Sequence, residues 1–228
     1  MPRQEYQAQL DTLREDVLYM SEVVLERLRL GLDALKQKDV ELAEEVIEGD
    51  GEVNDMYLEL EQQCVDLLAL QQPVAGDLRF IAATFKIITD LERIADLATN
   101  LGQYAKDANA DVFPDVDVQS IGEEVAAMIE RAMAAYADED AAACFDISER
   151  DDDIDTLCRE ASELVVRDLI EREFEDTTPD SEDEVEALMQ DVSRLLLTIR
   201  DLERVGDHAV NIAARTLYMV ENDDSLIY

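Results

Sequence analysis

The chain has 228 residues, 47% of them hydrophobic, enough for one large domain or two small ones with a substantial core. Its 57 acidic residues against 19 basic ones give a formal charge of -38, and with no cluster of Lys and Arg to meet phosphates, nucleic acid and direct adsorption to anionic lipid are excluded. Self-repulsion of this size opposes a compact state at low salt but is screened in molar salt, where the Debye length falls to about 3 Å; the composition reads as a cytoplasmic protein from an organism with a salty interior.

Glycine and proline are scarce, at seven and four residues. Apolar residues recur every three or four positions, the period of an amphipathic helix, and no strand-like alternation persists. The class is all-α. The opening MPRQEYQAQL is unlike a signal peptide. A first helix is expected over 4–36, with Leu10, Leu13, Val17, Met20, Val24 and Leu28 as its stripe. A second, over 39–70, carries Val46, Val53, Tyr57, Leu60, Cys64 and Leu67. The QQP at 71–73 places Pro73 near the start of a third helix, 74–107, whose stripe is Ile81, Phe85, Ile88, Ala95 and Thr99. DANADVFPDVDV at 107–118, with Pro114, reads as a linker. Helices over 118–137 and 140–173 follow, then TTPDSEDE with Pro179 and a capping box of Ser181 with Glu184, then a last helix over 181–221. Short turns favour antiparallel packing, so the expected architecture is two tandem three-helix bundles, 1–110 and 118–228. No run reaches the ~18 apolar residues of a membrane span. Cys64, Cys144 and Cys158 share no metal-like spacing and read as buried free thiols.

The halves repeat one another. DLERIADLATN at 90–100 returns as DLERVGDHAVN at 201–211, identical at seven of eleven positions. EGDGEVND at 48–55 is echoed by ERDDDIDT at 149–156, which pairs Asp50 with Asp151 and Asn54 with Asp155. The first match has an offset of 111 and the second of 101, so about ten residues entered the second half between them, most naturally at the Pro179 turn.

On a helical wheel Glu92 interrupts the apolar stripe of the third helix, with Asp96 and Asn100 following at four-residue steps; Glu203, Asp207 and Asn211 do the same in the last helix. Asp50 and Asp151 fall within the stripes of the second helix of each half, with Asn54 and Asp155 one turn on. Carboxylates at an apolar edge must be protonated, paired with Arg or bound to cations. Arg93 and Arg204 point elsewhere and are expected to pair with Asp90 and Asp201 on the outer face. The functional reading is one oxygen-ligand cation site per half, favouring magnesium, manganese, calcium or iron over a thiolate zinc site. The alternative is a polar seam open to water. The only histidine, His208, has Leu97 at its counterpart and reads as a surface or helix-packing residue. No Gly-rich phosphate loop or nucleophile set can be assembled.

Cys64 to Asn100, CVDLLALQQPVAGDLRFIAATFKIITDLERIADLATN, resembles the first repeat of the PhoU family, and IRDLERVGDHAVNIA, Ile199 to Ala213, resembles the signature of the second. The likeness covers nearly the whole chain. It implies two three-helix bundles, no catalysis, and a cytoplasmic regulator that restrains the phosphate ABC transporter through its ATP-binding subunit at the inner face of the membrane. In bacteria it also implies signalling to a sensor kinase, and it leaves a homodimer open. It implies bound divalent or trivalent metal ions (iron, manganese, magnesium or zinc) held by Asp50 with Asn54, Glu92 with Asp96, Asp151 with Asp155, and Glu203 with Asp207. Asn54 departs from the acid–acid form, and the Asp77–Arg79 DLR motif has no counterpart in the second half. Arg93 and Arg204, beside these pairs, are the expected partner-binding residues. A metal buffer or weak metallohydrolase is the competing expectation, and a structural scaffold a third.

Overall fold

The computed structural model describes residues 3–70, 74–108, 116–174 and 182–227. Seven helices cover most of them: α1 Arg3–Gln37, α2 Val40–Glu48, α3 Asp50–Leu70, α4 Ala75–Lys106, α5 Val118–Asp138, α6 Ala141–Phe174 and α7 Glu182–Glu221. Among the described residues there is no strand, and no helix is long and apolar enough to cross a membrane. The Pro73, Pro114 and Pro179 turns and Ser181 of the expected capping box lie outside the described residues.

The elements follow from the apolar period. In α1, Tyr6, Leu10, Leu13, Val17, Met20, Val24 and Leu28 are all buried, one heptad-like stripe along a 35-residue helix. It ends at Lys38, whose φ of 53° is left-handed, and Asp39 then caps α2 by accepting hydrogen bonds from the Glu41 and Leu42 amides at 2.9 and 3.2 Å. The second half repeats the device. Glu139 has φ 56°, and Asp140 accepts from the amides of Ala142 and Ala143 at 3.0 and 3.1 Å to start α6. The duplication has thus kept a left-handed residue followed by an aspartate cap at both turns.

One expectation fails. The single helix expected over 39–70 is interrupted at Gly49, which caps the C-terminus of α2. The reason is tertiary. The Arg27 guanidinium lies against this glycine, so close that a Cβ there would stand 1.6 Å from Nη1, and Arg27 Nη2 bonds Glu52 at 2.7 Å. A guanidinium at a helix C-terminus also meets the negative end of its dipole. The counterpart of Gly49 is Arg150, which turns outward to Glu124, and α6 runs through without a break.

The two repeats do not keep separate cores. One continuous cluster of buried apolar side chains draws on both, from Leu13, Met20, Ile81 and Leu91 to Ile129, Ile154, Val205 and Ile212. α4 packs on α1 within its repeat and on α7 of the other; α5 packs on α1 as well as on α6 and α7. α4 is accordingly buried on two faces, with Ile87, Leu91, Ile94, Leu97 and Ala98 inside as well as Ile81, Ile88 and Ala95. Thr84 and Tyr136 share a buried hydrogen bond of 2.9 Å between α4 and α5.

Candidate functional site

The repeated phrase serves two faces of the same helix. Its first aspartate and last asparagine face the other repeat. Asp90 is buried in α4, with His208 Nδ1 of α7 2.9 Å from its Oδ1 and Asn211 Nδ2 donating to the same oxygen at 3.4 Å. Asp201, fully buried in α7, accepts from Asn100 Nδ2 at 3.2 Å and from the Tyr104 hydroxyl at 2.9 Å, both on α4. Each repeat therefore offers an aspartate to the other's asparagine, and α4 and α7 cross antiparallel through this reciprocal lock. The second donor differs between the sides, Tyr104 on one and His208 on the other. Burial, then the bond to Asp201, pushes the Tyr104 phenol up to about 12, so it stays a donor.

This corrects the expectations for Asp90, Asp201, Asn100 and Asn211. Asp90 and Asp201 are interior rather than outer-face residues, although the expected Arg204–Asp201 pair does form. Arg204 Nη1 still approaches Asp201 Oδ1 at 3.8 Å, alongside Arg200 at 3.2 Å, but among the described residues no ion pair joins Arg93 to Asp90. Asn100 and Asn211 leave the acid edge and bond across the interface. His208 is a helix-packing residue, as one of its two expected readings had it.

The middle acids of the phrase face the second helix of their own repeat. In the second half, Asp151 and Asp155 of α6 oppose Glu203 and Asp207 of α7. Burial, followed by Asp155, Asp207, Asp152 and Glu203, pushes the Asp151 carboxyl up to about 7. Glu203 is raised by burial and then by Asp155 and Asp207. Asp207 is raised by burial and by Asp155, against the pull of His208 and Arg204. Asp151 Oδ1 is buried and has no hydrogen-bond partner. Gly206 makes room for it: a Cβ there would stand 3.1 Å from that oxygen.

The first half has the same layout and a different chemistry. Glu92 is raised by burial, then Asp96, and also by Asp50; Asp96 is raised by burial and Asp50. Asp50, however, is satisfied within the protein. Asn54 Nδ2 donates to its Oδ2 at 3.0 Å and Thr99 Oγ1 to its Oδ1 at 3.1 Å. The second half has Asp155 in place of Asn54 and Val210 in place of Thr99, so both donors are gone and an orphaned carboxylate remains. The four expected pairs are thus brought together two by two. Among the described residues no three His, Cys, Asp or Glu side chains converge tightly enough to hold a metal ion. The second-half acids would have to draw in around one, and their mutual repulsion is what a cation would relieve. Arg93 and Arg204 are both exposed beside these acids.

Asp77 and Arg79 of the DLR motif line a cleft of about 270 Å³ at the other end of α4. There Arg14 stacks over Phe80 and Tyr136, with guanidinium-to-ring distances of 5.1 and 5.8 Å, and bonds Glu139 at 2.6 Å. The cleft's acids, Asp11, Asp77 and Glu139, outnumber its two arginines, so it has no net attraction for an anion.

Comparison with known proteins agrees with the geometry. The PhoU domain matches twice, over residues 17–105 and 118–216, one match per repeat. A phosphate-specific transport system accessory protein PhoU homolog from Methanothermobacter thermautotrophicus is 34% identical over 222 residues, covering 96% of this chain and 95% of that protein. A homolog of the same description from Pseudomonas aeruginosa is 32% identical over 224 residues, covering 97% of this chain and 87% of that one. The crystal structure of PhoU from Pseudomonas aeruginosa superposes with a TM-score of 0.83 at 31% identity, covering 96% of this chain and 100% of that one. With both repeats matched and the interlocked helices in place, the chain belongs to the PhoU family.

Proposed function

We propose that this chain is a non-enzymatic regulator of phosphate uptake that restrains a phosphate ABC transporter through its ATP-binding subunit, acting in the cytoplasm at the inner face of the membrane. One observation carries the reading: relatives named as phosphate-transport accessory proteins align across both repeats, not across a fragment. The chemistry of the side chains favours a binding role over catalysis. The three thiols are buried, which raises Cys64 and Cys158 to about 12 and Cys144 to about 11, far from a nucleophilic thiolate. His208 is turned into the interface by Asp90.

In this reading the second repeat holds a hard cation through Asp151, Asp155, Glu203 and Asp207. The unpartnered, buried Asp151 oxygen and the room left by Gly206 support that assignment. The bound ion would supply the positive charge that four facing carboxylates lack. All-oxygen donors suit magnesium, manganese or iron better than zinc. Asp50, Asn54, Glu92 and Asp96 form the weaker set, because the donors already on Asp50 compete with a metal. Arg93 and Arg204 sit on the exposed side of the same helical turns and offer guanidiniums to a partner's carboxylates. Fixing the acid seam would fix the edge that displays them.

The test is affinity capture of the tagged chain from phosphate-replete cells, with the metal content of the captured protein measured by elemental analysis. The transporter's ATP-binding subunit should co-purify and metal should be present. Glu203→Gln with Asp207→Asn should lower the metal while helix content holds, and Glu92→Gln with Asp96→Asn should lower it less. Capture without the ATP-binding subunit would contradict the transporter reading, and full metal in the first double variant would contradict the coordination reading.

A further inference from the structure

The internal duplication has preserved more than a core. Each repeat exposes apolar side chains at the tip of its long hairpin, at matching positions. At the first tip these are Val65 near the end of α3 and Val74 and Leu78 at the start of α4. At the second they are Val166 in α6 and Val185 and Met189 in α7. The pairs obey the two offsets of the repeat, 101 before the tip and 111 after it. Their exposures match as well: 45 and 47% for Val65 and Val166, 48 and 45% for Val74 and Val185, 46 and 51% for Leu78 and Met189. Val185 and Met189 are four apart within α7 and share one helix face, while Val74 is the extended N-cap residue of α4, one turn before Leu78.

Single exposed apolar residues are ordinary. Three that recur in register between the repeats are not: other exposed apolar side chains, Tyr19, Val40, Leu58, Phe145 and Leu157 among them, have no exposed apolar counterpart at the repeat offset. The tips are also far apart. α4 and α7 are antiparallel, with Asp90 level with His208 and Asn100 level with Asp201. At 1.5 Å per residue this puts Leu78 and Met189 at opposite ends of the molecule, about 50 Å apart along the helices. Acids outnumber bases at both tips: Asp66 and Asp77 against Arg79 at the first, Glu163, Glu171, Glu182 and Asp183 against Arg167 at the second. A second copy of this chain would set like charge against like. A partner with basic residues around an apolar face would not.

We infer that the two hairpin tips are equivalent docking surfaces for one two-fold symmetric partner, which presents the same base-rimmed apolar face twice. A repeat-built chain carries an approximate dyad of its own, and equivalent patches on either side of it fit a partner whose two subunits are identical. Resting on the transporter reading above, the inference makes the partner a pair of ATP-binding subunits bridged by one regulator chain. Engaging both tips at once would raise affinity far above that of either tip alone.

The experiment uses the full chain and the transporter's ATP-binding subunit in its ATP-bound dimeric form, with affinity and stoichiometry read by analytical ultracentrifugation at molar salt. The variants are Val65→Gln with Leu78→Gln, Val166→Gln with Met189→Gln, and all four together; the sites are exposed, so the fold should hold, which circular dichroism checks. One chain should bind one dimer. Each tip variant should weaken binding by about a hundredfold, to a similar degree, and the fourfold variant should abolish it. Loss at one tip only, or at neither while the wild-type chain still binds, overturns the two-fold docking and leaves the transporter reading standing. Failure of the wild-type chain to bind overturns both. A wild-type chain that sediments as a dimer, and becomes a monomer in the tip variants, would assign the tips to a second copy instead.

Discussion

Asp151 is the residue whose environment asks most plainly for a positive charge. Its raised carboxyl makes a prediction with a definite sign. An acid whose folded pKa lies above its unfolded value destabilises the fold when ionised. The penalty is absent below the usual aspartate pKa of about 4, grows as pH rises, and is complete above about 7. Metal-free protein should therefore melt at a higher temperature at pH 5 than at pH 8. Asp151→Asn should flatten that slope, which separates this carboxyl from the general acid surface, and saturating metal should restore stability at pH 8. A thermal midpoint with the same pH dependence in wild type and variant would show that Asp151 is not strained. The acid pairs were legible in the sequence because helical spacing alone brings E-x-x-x-D to one edge. The difference between the halves was legible in part, through Asn54 against Asp155. The rest lies in Thr99 against Val210 and Gly206 against Ala95, substitutions that carry meaning only once Asp50 and Asp151 are seen beside them.

At the scale of the elements, the lock between α4 and α7 joins the repeats. Asp201→Ala would leave the part-buried donors Tyr104 and Asn100 without their acceptor, at a cost of up to about 1–3 kcal/mol for a group left unsatisfied. Chemical denaturation should show a lower midpoint with unchanged slope; a neutral result would mean the lock contributes nothing net. The helices themselves were legible from the 3.6-residue period, and both aspartate-capped turns fall at the expected boundaries. The role of Asp90 and Asp201 was not. A wheel drawn for an isolated three-helix bundle has one buried face, and these residues fall outside it. They are buried because the other repeat covers the second face of α4 and α7, a fact that the apolar Ile87, Leu91, Ile94 and Leu97 already hinted at. Nor was the break at Gly49 legible, since apolar periodicity runs through it and the cause is Arg27, twenty-two positions earlier.

For the whole molecule the dominant fact is a charge of -38. The pairs Arg14–Glu139, Arg29–Glu130 and Lys106–Glu44 are largely exposed, and such pairs contribute little. Stability should fall as salt is withdrawn. Unfolding followed by circular dichroism should show a clearly lower midpoint near 0.1 M than in molar salt, since the screening length grows from about 3 Å to about 10 Å over that range; an unchanged midpoint would remove the salt-adapted reading of the surface. The central claim, that this acidic chain is a metal-set regulator of the transporter, is tested most directly by one titration. The purified chain is titrated with the transporter's ATP-binding subunit at molar salt in three states: metal-loaded, chelated, and metal-loaded with Arg93→Ala plus Arg204→Ala. The account predicts tight binding in the first state and affinities at least about tenfold weaker, some 1.4 kcal/mol, in the other two. Equal affinity in all three would contradict it.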